Sequence, residues 1–162
     1  LMPREHPLAA VHGANNAVFV EAAAAGPLMF YGAGAGGVQT ASAVLGDLVA
    51  IARRHVIGGP GTSESTHSDV AVLPIGQIAT RYSIMLEVTD EPGVLAAIAH
   101  VFAEHGVSVE QLQQTVDESG KATLVIGTHE AKEQALADTV AALAESPVVA
   151  SVASVLRVEG AV

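Results

Sequence analysis

The sequence contains no cysteine and no tryptophan, and its few phenylalanines and tyrosines make up only 3% of the 162 residues. Without thiols it can form no disulfide, thiolate metal site or cysteine nucleophile, a composition that suits the reducing cytoplasm. With so few rings it offers little on which nucleic-acid bases could stack. Basic residues are scarce as well: 7 Lys+Arg stand against 17 Asp+Glu, a formal net charge of −10 at pH 7. Phosphate affinity comes mainly from clustered Lys and Arg, so this balance argues against a nucleic-acid partner. Half of the residues are hydrophobic and the mean hydropathy is +0.44. Such a chain is too apolar to stay disordered, and its core has to be built from Ala, Val, Leu and Ile.

Charge is missing altogether from residues 22–46, a stretch long enough to span a bilayer. Gly26-Pro27 and the cluster Gly32, Gly34, Gly36 and Gly37 would break a spanning helix, and Gln39, Thr40 and Ser42 add polar groups. The flanking residues Glu21 and Asp47 are acidic, the reverse of a membrane anchor. The segment is therefore expected to be protein core and not membrane. No basic region followed by an apolar stretch opens the chain, so no secretory signal is expected. The opening Leu1-Met2-Pro3 reads as the start of a piece cut from something longer.

A Gly/Ser/Thr/Pro-rich run at residues 58–69 divides the chain. Before it, apolar runs at residues 17–20 and 28–31 read as buried strands. Residues 38–56 then read as a helix: Val44, Leu45, Leu48, Ile51 and Ala52 recur at helical spacing, Arg53, Arg54 and His55 suit its negative end, and Gly58 stops it. Two strands and one helix are too little for an independent domain, so their apolar faces need cover from outside this segment or from a second copy.

After the run the pattern is cleaner. Tyr82, Ile84, Leu86 and Val88 alternate with Ser83, Met85 and Glu87, a half-buried strand. Asp90, read as an N-cap, with Glu91-Pro92-Gly93 behind it, starts a helix whose Val94, Leu95, Ile98, Val101 and Phe102 line one face. Residues 107–116 form a second strand, with a bulge expected where the apolar phase slips between Val109 and Leu112. Residues 117–120 carry turn chemistry, and Ala122, Leu124 and Ile126 mark a third strand. A helix over 130–145 and a strand over 150–158 complete the order βαββαβ, an α+β sandwich with both helices on one face of the sheet.

Gly32-Ala33-Gly34-Ala35-Gly36-Gly37 matches G-x-G-x-x-G between a strand and a helix, where backbone amides could hold a phosphate. A dinucleotide fold also needs a second parallel strand ending in an acid about 20 residues on, which is missing, and Val38 stands where a phosphate-loop lysine would be. Tight helix–strand packing and contact with a cofactor both remain open readings of these glycines. The 90–95 segment likewise is either a well-made helix start or a first turn whose free amides take a small carboxylate. None of His6, His12, His55, His67, His100, His105 and His129 stands in a metal-binding spacing, and no acid, base or nucleophile stands out.

Two stretches resemble a known family. His6-Pro7-Leu8-Ala9, Asn16-Ala17-Val18, the glycine run from Tyr31 to Gly37, and Thr40-Ala41-Ser42-Ala43-Val44 with Asp47 resemble the end of the catalytic region of homoserine dehydrogenase. Ala33 departs from it, since proline is common there. Residues 80–160, with Asp90-Glu91-Pro92-Gly93-Val94-Leu95, resemble an ACT regulatory domain, a ferredoxin-type sandwich that binds amino acids. The resemblance implies three parts: the end of a catalytic and dimerisation region at 1–57, a linker at 58–79 and an ACT-like domain at 80–160. The parent enzyme would oxidise L-homoserine to L-aspartate 4-semialdehyde with NAD(P)+, in the route to threonine and methionine. Gly34, Ala35 and Gly36 would sit at its cofactor cleft with Thr40 in the turn behind them. Asp90, Gly93, Val94 and Leu95 would form an effector site for a small amino acid, threonine foremost, in a homodimer or larger homo-oligomer. The parent's Rossmann domain and substrate-handling lysine and acids have no counterpart here, so the resemblance implies no catalytic residue, no metal and no cofactor binding or activity in these residues alone. The competing reading is a free-standing amino-acid-binding or interaction module whose first 57 residues are an oligomerisation arm.

Overall fold

The computed structural model describes residues 1–58, 71–117 and 121–159. They fall into two compact units, Arg4–Val70 and Ala71–Val162 together with Leu1–Pro3.

In the first unit the apolar runs become β1 (Asn15–Ala22) and β2 (Gly26–Ala33), joined as an antiparallel hairpin in which Val18 faces Phe30 and Val20 faces Leu28. A single 3-10 turn at Pro7–Ala10 precedes it. His6 Nδ1 accepts the Leu8 N–H there at 3.2 Å, and the His6 ring lies edge-on to Phe19 with centroids 4.7 Å apart. The helical spacing of Val44, Leu45, Leu48 and Ile51 becomes α1 (Gly37–Ile57), which closes at Gly58 through an N–H donated to the Arg54 carbonyl at 3.0 Å. No residue of α1 is buried, and Leu48 and Ile51 are 59% and 64% exposed. The missing cover expected from so few elements is thus visible as bare apolar surface.

The second unit is built around β3 (Ala79–Thr89), which buries Tyr82, Ile84, Leu86 and Val88 as their alternation requires. It is followed by α2 (Val94–Glu104), β4 (Val109–Val116), β5 (Lys121–Thr128), a two-residue bridge β6 (Ala131–Lys132), α3 (Glu133–Ala144) and β7 (Val149–Val158). All pairings are antiparallel. β5 and β7 flank β3, β4 lies outside β5, and β6 pairs with the first residues of β3. Ile98 and Phe102 of α2 and Leu136 and Leu143 of α3 close over Ala122, Leu124 and Ile126 in one apolar core. The opposite face of the sheet carries the polar alternates: Glu87 accepts from Lys121 Nζ at 2.9 Å and Ser151 Oγ at 2.7 Å. The result is the expected α+β sandwich in βαββαβ order, with the small β6 added.

The expected bulge is present, since the β4–β5 register shifts between Val109 and Gln111. Other expectations move. Asp90 does not cap α2. The helix begins three residues later with Gly93 as N-cap, because Pro92 belongs to a turn in which Val94 N–H donates to the Glu91 carbonyl at 3.3 Å. The helix expected from residue 130 begins at Glu133, residues 131–132 being taken up by β6. Within the expected 58–79 linker, residues 59–70 lie outside the described residues, whereas a 3-10 turn at Ile75–Gln77 and the first residue of β3 are formed. Residues 118–120 of the expected turn also lie outside the described residues, and on either side of them the Asp117 N–H donates to the Lys121 carbonyl at 3.0 Å. Among the described residues no helix is long and apolar enough to cross a membrane.

Candidate functional site

A cavity of about 160 Å³ opens at the C-terminal end of β3, where the chain turns into α2. Its walls include Val88, Val94, Leu95 and Leu124, and its rim Asp90, Glu91, Gly93 and Gln114. This size suits a small metabolite and is well below the roughly 300–1,000 Å³ of pockets for drug-sized ligands. Gly93 makes the turn possible with φ +96°, a conformation that costs a side chain about 1–2 kcal/mol, and open space surrounds the position its Cβ would take. No side chain caps α2. Its first i→i−4 bond runs from Ala97 N–H to the Gly93 carbonyl at 2.9 Å, so the Leu95 and Ala96 amides precede the helical ladder and stand at the positive end of its dipole. Gln114 Nε2 donates to Asp90 Oδ1 at 3.0 Å, linking β4 to this loop. The sequence-picked residues Asp90, Gly93, Val94 and Leu95 therefore come together around one cavity, with Gln114 as a member that local spacing had not marked.

The glycine turn in the other unit has a different build. Gly34 donates its N–H to the Ala14 carbonyl at 2.8 Å. A Cβ on Gly34 would lie 2.6 Å from Asn16 Cγ and Nδ2 and 2.7 Å from Oδ1, so this glycine leaves space that the Asn16 side chain fills. Gly36 is the uncapped N-cap of α1 with φ +142°, and Thr40 donates its N–H to the Gly36 carbonyl at 2.9 Å as the first helical bond. Beside Gly34 the space is taken by the Asn16 side chain, and Gly36 with the unladdered amides that follow it makes a helix start of the kind that can accept an anion. That end of the turn, with the Thr40 hydroxyl one turn on, fits a cofactor's polar oxygens; the Gly34 amide is already engaged.

A third cluster was not read from the sequence. Glu133, in the first turn of α3 and only 7% exposed, accepts the Tyr82 hydroxyl at 2.8 Å and Arg157 Nε at 3.3 Å, with Arg157 Nη2 also donating to it. The Arg157 guanidinium holds the Glu133 carboxyl below the usual carboxylate range, and burial pushes the Tyr82 phenol up. The three residues tie β3, α3 and β7 together at the end of the sheet away from the cavity. The Glu133 carboxylate thus accepts three hydrogen bonds from Tyr82 and Arg157.

Comparison with known proteins fits this architecture. Residues 1–49 match the homoserine dehydrogenase family model and residues 82–147 the ACT domain model. The homoserine dehydrogenase of Mycobacterium tuberculosis is 53% identical over 99% of this chain and 37% of its own length. That of Bacillus subtilis is 37% identical over 99% of this chain and 38% of its own length. The crystal structure of a homoserine dehydrogenase from Thiobacillus denitrificans superposes with a TM-score of 0.80 at 32% identity, covering 98% of this chain and 37% of that one. The chain spans little more than a third of the length of these relatives. In sequence and in fold it matches the C-terminal part of homoserine dehydrogenases, a homoserine dehydrogenase segment followed by an ACT domain.

Proposed function

We propose that this chain works as the C-terminal part of an NAD(P)-dependent homoserine dehydrogenase, converting L-homoserine to L-aspartate 4-semialdehyde in the cytoplasmic route to threonine and methionine, and that its ACT domain senses a small amino acid. The observation that carries the sensing role is the cavity at the start of α2, where uncapped helix amides, carboxylates and apolar walls meet in about 160 Å³. A free amino acid needs just these three surroundings. Its carboxylate is met by the Leu95 and Ala96 amides and the helix dipole, its ammonium by the Asp90 and Glu91 carboxylates, and a short side chain by Val88, Val94 and Leu124. Gln114, exposed at the rim and donating one amide hydrogen to Asp90, offers its remaining amide groups to a side-chain hydroxyl, which favours threonine over valine or isoleucine.

The catalytic assignment rests on the family match and on the glycine turn. NAD(P) supplies hydride acceptance when bound. This chain's contribution is to present Ala35, Gly36 and the Thr40 hydroxyl at the start of α1, with Gly34 securing the turn, and to bring the apolar stripe of α1 against the rest of the enzyme. The exposed stripe also supports assembly as a homodimer, and these residues by themselves are expected to be catalytically inert. Isothermal calorimetry on the folded chain with threonine, isoleucine and methionine tests the sensing role. Threonine should bind with the largest heat, whereas no heat with any of the three overturns it.

A further inference from the structure

The 10 residues of β7 form a long edge of the second unit's sheet. Among the described residues β7 pairs with β3 alone, and it carries no proline and a single charge, Arg157, so its composition does little to blunt the other side. That side is already engaged at its end. The Glu159 N–H donates to the Leu1 carbonyl at 2.8 Å, and the Leu1 nitrogen donates to the Arg157 carbonyl. One residue bonded to both neighbours of Val158 is the hydrogen-bond pattern of a parallel strand pair. Tyr82, opposite Arg157, gives its own N–H to Thr128 Oγ1 of β5, so the backbone groups of Arg157 point away from β3. From Ser154 to Val158 the β3–β7 register is unbroken, and by alternation the Val155 amide points outward together with that of Arg157. Leu1–Pro3 belong to the same compact unit as β7.

We propose that the outer edge of β7 is a strand-addition site, and that its occupant is the segment directly preceding Leu1 in the complete dehydrogenase, running parallel to β7 and widening the ACT-type sheet by one strand. The proposal rests on the proposed function for the existence of that segment and on the two Leu1 bonds for its direction and register. With Leu1 beside Val158, the residue two positions upstream stands beside Leu156 and its carbonyl takes the Arg157 N–H; the residue four positions upstream takes the Val155 N–H in the same way. Main-chain bonds supply the affinity of such an added strand. A second copy of the chain would have to displace Leu1 to use the same edge. The added strand gives the amino-acid cavity a second connection to the dehydrogenase part, through the β3–β7 ladder, besides the one through the 58–79 linker.

The test is amide hydrogen exchange over residues 154–158, compared between this chain and the complete dehydrogenase that contains it. The Val155 and Arg157 amides should exchange at least about tenfold more slowly in the complete protein. Val155→Pro removes one outward N–H, a change an edge strand tolerates where that N–H faces solvent. In the complete protein Val155→Pro should abolish the slowing at Arg157, and Val155→Ala should keep it. Equal rates in the two unsubstituted proteins overturn the proposal. Slowing that survives Val155→Pro overturns it as well, because cover by side chains needs no N–H, and slowing that fades on dilution would make a second copy the occupant instead. If the proline variant fails to fold, the comparison of the unsubstituted proteins, concentrated and diluted, still decides. A complete protein without dehydrogenase activity would overturn the proposed function, and the exchange rates would still decide the strand.

Discussion

The two units carry helices of similar amphipathic pattern in opposite surroundings. In the ACT-type unit, α2 and α3 press Ile98, Phe102, Leu136 and Leu143 into a core where each is no more than 2% exposed. In the hairpin unit, α1 displays Leu45, Leu48 and Ile51 at 56–64% exposure. The period of apolar residues therefore says which face of a helix wants burial and says nothing about who supplies the cover. For α2 and α3 the cover is a sheet within the same 90 or so residues; for α1, on the proposed reading, it belongs to the rest of a larger enzyme.

Core truncation draws this contrast most sharply. Leu124→Ala in β5, at a fully buried site, should cost about 2–5 kcal/mol in chemical denaturation of the chain, whereas Leu48→Ala in α1 should fall within about 0.5 kcal/mol. In the complete dehydrogenase Leu48→Ala should become costly too, and a neutral result there would show that the stripe is no seam. A smaller effect is expected from the Glu133 cluster. Arg157 lowers the folded-state pKa of Glu133, so the stability it contributes is fully present above the usual carboxylate range and is lost as pH falls through the depressed value. Glu133→Gln should accordingly lower the unfolding temperature at pH 7 and narrow the gap to the parent chain as the solution is acidified below that range. Parallel curves at all pH values would mean that the ion pair adds nothing. Gly93→Ala, where only the backbone resists, should cost about 1–2 kcal/mol, read by denaturation, with threonine binding weakened because the first turn of α2 shifts.

Regular alternation made the sandwich legible. Tyr82, Ile84, Leu86 and Val88, and Ala122, Leu124 and Ile126, place themselves on one face of the sheet, and the phase slip after Val109 marks a bulge that is there. The helix start was legible as a region but not as a residue. Asp90 has the chemistry of an N-cap, yet Pro92 and the left-handed Gly93 extend the turn and hand the capping position to glycine. Contacts between distant residues left no local signal. Glu133 meets Tyr82 and Arg157 across 51 and 24 positions, and Asn16 meets Gly34 only because the hairpin register brings them together. The two residues of β6 are too few for any period to show.

β3 runs from just after the 3-10 turn at Ile75–Gln77 to the cavity at the start of α2. Its 11 residues, at a rise of about 3.3 Å per step, make a strut of about 33 Å from Ala79 to Thr89, hydrogen-bonded to β5 on one side and β7 on the other. Such a strut transmits push and pull without stretching. Its compliance is concentrated at one end, where the β7 register shifts twice, between Met85 and Leu86 and between Glu87 and Val88, next to the cavity. A ligand that tightens the Thr89–Gly93 turn would load these two joints first, and only what they fail to absorb would travel on as a displacement of Ala79.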